Sequence, residues 1–232
     1  MKLLNSGNAK TRKGEKQGFI TYGIHLAPAH LSGYNACFWA SQGCTMACLN
    51  TAGRGAMNNV QKARINKTRY FFEKQKEFMH QLEKEIGSAI KSAGRKGMQP
   101  CFRLNLTSDL AWEGYKKDGL SIIERFPQVQ FYDYTKGFRR MQKYLSGKMP
   151  SNYHLTFSRS ESNGSQANLI AKMEGNVAVV FRGRLPRTFY GLPVVDGDET
   201  DLRFLDKRGC VVGLVEKGMA KKDETGFVVE PK

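Results

Sequence analysis

Apolar and polar positions alternate along this chain with two periods, and the switches between them mark its elements. Aromatic and β-branched residues crowd positions 18–26, a strand pattern closed by Ala27 and Pro28. Phe71, Phe78, Leu82, Ile86 and Ile90 then follow at steps of 7, 4, 4 and 4, which keeps them on one helical face. That spacing predicts one helix over 58–91, capped by Asn58 or Asn59 and broken before Gly97. Strand patterns are expected at 98–106, 129–134 and 153–157, and helices at 112–126, 138–145 and 166–173. Residues 176–182 are almost continuously apolar, as in a strand buried on both faces. Two further strands are expected at 192–195 and 210–215, separated by an acidic turn at 196–201.

Strand–helix alternation of this kind implies parallel strands joined by right-handed crossovers. The expected class is α/β with mainly parallel strands, built either as a partial (β/α) barrel or as a doubly wound sheet. In both, the active face lies at the carboxyl ends of the strands. Those ends carry Thr107, Ser108 and Asp109, then Lys136, then Ser158 and Arg159, then Arg182, beside the loop that follows the first strand. A Ser or Asp in such a place also serves as the cap of the next helix. Their succession on one rim is what points to a site. Organisation follows: a flexible basic arm at 1–17, a single domain at 18–218 and a tail at 219–232. No internal repeat interrupts it.

Composition narrows the class. The 232 residues are 40% hydrophobic and 25% charged, as in a globular domain. No run of eighteen apolar residues occurs, so no membrane-spanning helix is expected. The N-terminus has no long apolar stretch, so no secretory signal is expected either. Five cysteines, an odd number, then fit a reducing compartment better than a disulfide framework. The net charge of +16 is uneven: residues 54–103 hold twelve Lys/Arg against four Asp/Glu, and residues 191–232 hold seven against nine. Lys62, Arg64, Lys67, Arg69 and Lys74 on the first helix form either a solvated face or a patch for nucleic acid or nucleotide phosphate.

Chemistry concentrates in one loop. Cys37, Cys44 and Cys48 form a C-x6-C-x3-C motif within twelve residues. Thiolates are ligands for soft or borderline metals, and three on one short loop can meet at one point. A four-iron cluster held by three cysteines leaves one iron open; zinc would instead recruit His25 or His30 and close the site. Gly43, Gly53 and Gly55 permit close backbone approach, while Phe38, Trp39 and Met46 would shield a cluster. Cys101 and Cys210 fall in strands and read as core residues. There is no Walker A loop, no G-x-S-x-G, no H-E-x-x-H and no zinc-deaminase pattern. Asp196, Asp198 and Asp201 lack the spacing of a calcium loop.

With Gly43, Leu49, Gly53 to Gly55, Arg64, Lys67, Thr68 and Arg69 around it, this loop resembles a bacteriophage family catalogued as gene product 88-like. The resemblance covers roughly 18–218 and extends to Arg103, Ser108, Asp109, Tyr132, Thr156 and Asp196. It implies a phage protein working in the host cytoplasm and assigns no reaction. A second resemblance is architectural, to radical S-adenosylmethionine enzymes, whose three cluster cysteines follow the first barrel strand. It implies a [4Fe-4S] cluster and S-adenosylmethionine. Thr107, Ser108 and Asp109 would then lie near the methionine amino group, and Ser158 and Arg159 near the ribose and carboxylate. Lys136 and Arg182 would complete the rim. The usual spacing of that family is C-x3-C-x2-C, which this chain does not have. Two functions follow: a radical-type enzyme, or a non-catalytic iron–sulfur or zinc protein that binds nucleic acid or a host factor through its basic surface.

Overall fold

A computed structural model describes residues 1–6 and 11–231. Its strands are β1 (Asn5–Ser6), β2 (Phe19–Gly23), β3 (Gln99–Arg103), β4 (Lys116–Lys117), β5 (Leu120–Ser121), β6 (Gln130–Thr135), β7 (Tyr153–Ser158), β8 (Val177–Phe181), β9 (Thr188–Phe189), β10 (Leu192–Asp196), β11 (Val211–Val215) and β12 (Val228–Val229). The α-helices are α1 (Gln42–Met46), α2 (Asn58–Glu73), α3 (Gln75–Gly94), α4 (Phe138–Leu145) and α5 (Gly164–Lys172).

One sheet dominates, in the order β1-β2-β3-β6-β7-β8-β11-β10-β9, with β12 also on β8. Every pairing from β2 through β10 is parallel; β1 and β9 join their neighbours antiparallel at the two edges. Among the described residues the edge strands do not meet, so the sheet is open and no barrel closes. From β2 to β8 the strands of this sheet lie side by side in chain order. The α/β class with mainly parallel strands is therefore as expected.

Alternation along the strands divides the core. Phe102, Phe131, Leu155, Phe157, Val179 and Phe181 face the helices, where they meet Phe71, Phe78, Leu82 and Ile86. Each such buried side chain contributes roughly 1.5–3 kcal/mol. On the other face Cys101, Tyr132 and Leu202 form a separate cluster, and Ala178, Cys210 and Val212 another. Cys101 in β3 and Cys210 just before β11 are thus core residues, and burial raises the Cys101 thiol to about 12.

Four expectations are corrected. The N-terminal arm is not free where it is described. Leu3 and Leu4 are buried, and Glu85 accepts both of their N–H groups, because two leucines outweigh the polar residues around them. Positions 7–10 of that arm lie outside the described residues. The tail is not separate either, since Phe227 and Val228 are buried and β12 joins the sheet. The 58–91 helix is two helices that turn at Lys74 (φ −133°, ψ 54°). A step of seven between Phe71 and Phe78 preserves the apolar stripe across that break. Those rings instead pack edge-on at 5.2 Å, with Trp112 5.3 Å from Phe71. Finally, 112–126 is not helical. A 3-10 turn leads into the β4–β5 hairpin, whose turn residues Asp118 and Gly119 both have positive φ. Asp-Gly is the sequence such two-residue hairpins favour. Among the described residues no helix is long and apolar enough to cross a membrane.

Candidate metal centre

The cysteine loop lies across the carboxyl ends of the strands and is pinned at three points. At its start, Cys37 bridges Asp109 in a parallel sense, the Asp109 N–H donates to the Ala36 carbonyl at 2.9 Å, and the Cys37 thiol reaches the Thr107 carbonyl at 3.9 Å. In its middle, Ser41 caps α1 by accepting from the Cys44 N–H. The Glu161 carboxylate accepts from the Ser41 hydroxyl and the Gly43 N–H, both at 2.7 Å. Beyond Cys48, the Arg64 guanidinium donates to Asn50 at its carbonyl (2.7 Å) and side-chain oxygen (2.5 Å). Gly55 permits that last contact, since a Cβ there would lie 2.4 Å from the Asn50 carbonyl.

The three thiols share one electrostatic neighbourhood. Burial pushes Cys37 up to about 11; a backbone hydrogen bond at Ala29 opposes this, and Asp109, Cys48 and Cys44 add to it. Burial also raises Cys48, aided by Cys44 and opposed by the Asn50 backbone, Lys136 and Arg64. The Cys37 and Cys48 thiols are therefore protonated at neutral pH, and all three thiols are partly buried. Among the described residues no three His, Cys, Asp or Glu side chains form a group that could hold a metal ion. The donor set suits a soft metal in kind and neighbourhood, without an assembled coordination shell. His30 is exposed. His25 keeps an unpartnered buried Nδ1, and burial, together with Arg64, Lys67 and Arg103, lowers it to about 3.

Three of the seven expected rim residues, Asp109, Lys136 and Ser158, meet directly. The Lys136 N–H donates to Asp109 at 2.8 Å and its ammonium to the Ser158 hydroxyl at 3.0 Å. Thr107 and Ser108 are engaged nearby, donating to the Leu26 carbonyl (2.6 Å) and the Asn105 side chain (2.8 Å). Burial raises the Asp109 carboxyl, opposed by Arg140 at 3.1 Å and by Lys136. Arg159 turns to the C-terminal segment, donating to the carbonyls of Gly226 and Phe227. Arg182 does not join the rim group, because Glu230, the Lys221 carbonyl and the Asp223 carbonyl take its guanidinium.

The basic patch is smaller than expected. Arg64 and Lys67 are buried, the latter donating to the Leu3 carbonyl at 3.1 Å, which leaves Lys62, Arg69 and Lys74 exposed. The proposed shield also differs: Phe38, Trp39 and Met46 are 55%, 39% and 61% exposed. A cavity of about 290 Å³ opens at the opposite edge, beside Gln130, Tyr153 and His154 at the strand starts, away from the cysteines. Glu161, Arg140 and Phe227 had no sequence signal, for each acts on a partner distant in the chain. No curated protein and no solved structure matches this chain. The family model described as gene product 88 matches residues 2–231, almost the whole sequence and the cysteine loop with it, and the chain belongs to the gene product 88 family.

Proposed function

We propose that this protein holds an iron–sulfur cluster on Cys37, Cys44 and Cys48, with one iron open toward the strand ends. The observation that carries the reading is the gathering of three thiols from one short loop into one electrostatic neighbourhood, beside Lys136 and Arg64. Three thiolates from one short loop are the donor chemistry of a cluster with one iron left open. Metal binding would displace the thiol protons, and its positive charge would offset thiolates that repel one another.

When bound, an open iron supplies a coordination position for an amine and a carboxylate, the groups S-adenosylmethionine offers. Lys136 and Ser158 would orient such a polar cofactor. Thr107, Ser108, Asp109 and Arg159 would first exchange their present hydrogen bonds. The partial-barrel, radical-type reading of the open sheet belongs to the same proposal, supported by strands that follow chain order from β2 to β8. A nucleic-acid or host-factor role through α2 has less support, with Arg64 and Lys67, two of its four cations, buried.

Purification without oxygen tests the reading. A brown protein with about four iron and four sulfide per chain is expected. Cys37→Ala, Cys44→Ala and Cys48→Ala should each lose the chromophore, whereas Cys101→Ser and Cys210→Ser should keep it. A colourless protein carrying one zinc would overturn the proposal.

A further inference from the structure

The chain's own C-terminal segment lies against the thiol site. β7 pairs only with the first two residues of β8, through Phe157↔Val177 and Ser158↔Ala178. The last two residues of β8, Val180 and Phe181, are paired instead by β12. Just before β12, Phe227 joins Ala47, Ala220 and Val228 in a small cluster against which Cys44 packs. The Lys136 ammonium stands 5.7 Å from the centre of the Phe227 ring. Contact with α1 is direct: a Cβ on Gly43 would lie 2.8 Å from the Phe227 Cβ and 2.2 Å from the Thr225 hydroxyl. The segment thus reaches both Cys44 and the Lys136–Ser158 pair.

Its attachment is slight beside that of the core. The four-residue cluster is separate from the main apolar core, which Val229 of the segment touches, and β12 is two residues long. Two arginines hold the segment by its carbonyls: Arg159 at Gly226 and Phe227, and Arg182 at Lys221 (3.0 Å) and Asp223 (2.7 Å). A unit with few buried apolar contacts opens at lower free energy than the core around it.

We propose that residues 218–229 are a detachable cover of the cysteine site. Docked, the cover shields Cys44 and the polar pair at the strand ends. Released, it opens the thiols to a metal or cofactor arriving from that side. The inference rests on the thiol site being the functional one, and its test does not depend on iron.

The test is alkylation of the reduced, metal-free full chain by N-ethylmaleimide, followed cysteine by cysteine with peptide mass spectrometry. Phe227→Ala should speed labelling of Cys44 about tenfold or more, the factor given by about 1.4 kcal/mol of lost docking. Cys101 and Cys210 should stay protected. If they become labelled too, the variant has unfolded, and Arg159→Gln, which removes the carbonyl anchors at Gly226 and Phe227 and leaves the apolar contacts of Phe227, decides with the same expected acceleration. An unchanged Cys44 rate in the folded variants overturns the cover. A faster rate in a protein that binds no iron keeps the cover and sinks the cluster reading; bound iron with an unchanged rate does the reverse.

Discussion

Glu161 ties the cysteine loop to the turn after β7 with two short charge-assisted hydrogen bonds, to the Ser41 hydroxyl and the Gly43 N–H. Bonds to a charged group contribute about 1.5–3 kcal/mol each when part-buried, and α1 is too short to hold its own geometry. Glu161→Ala should therefore lower stability by about 2 kcal/mol. It should also speed hydrogen exchange at Gly43, while the β6 amides stay slow. A Gly43 amide that exchanges as slowly as before would show that the loop is held by something else. The cysteines as a group were legible from residue type and spacing. Glu161 was not, because it lies 118 positions from Gly43 and nothing local distinguishes it from a surface glutamate.

The cations of α2 separate into two kinds at the scale of the element. Arg64 and Lys67 occupy the buried side and satisfy carbonyls of the cysteine loop and the N-terminus, whereas Lys62 faces solvent. Burial lowers both buried cations, with Cys48 opposing at Arg64 and Glu85 opposing at Lys67. Arg64→Gln and Lys67→Gln should each cost about 1.5–3 kcal/mol in urea unfolding, and Lys62→Gln less than about 0.5. Equal costs at all three positions would restore the picture of a uniform basic face. Helical periodicity found the apolar stripe of α2 and α3, since that stripe survives the turn at Lys74. It gave no sign of which lysines would meet backbone carbonyls, as those partners come from residues 3 and 50.

For the whole molecule, acid sensitivity follows from a histidine that the fold keeps neutral. His25 sits among Arg64, Lys67 and Arg103 and falls from 6.5 to about 3, burial being the largest cause. Below pH 6.5 the unfolded chain takes up a proton that the folded chain refuses. The stability this group contributes is complete above 6.5 and is lost progressively as pH falls toward 3. Between pH 7.5 and 5 the loss is about 2 kcal/mol. His25→Gln should remove that dependence, so its stability relative to the parent should improve by about this amount across the interval in urea titrations. A constant difference between the two proteins would place the acid sensitivity elsewhere.

The sequence alone determined the α/β class, the parallel strands, the rim of strand ends and the gathering of Cys37, Cys44 and Cys48. All of these follow from local periodicity or short spacing. The tertiary structure decided what required partners far apart in the chain. It paired the edge strands β1 and β9 locally and left them apart from each other. It buried Arg64 and Lys67, turned Arg182 away from the rim, and set the C-terminal Phe227 in a small apolar cluster beside Cys44. Such outcomes depend on which side chain finds which carbonyl or ring across the fold, and no window of neighbouring residues contains that information.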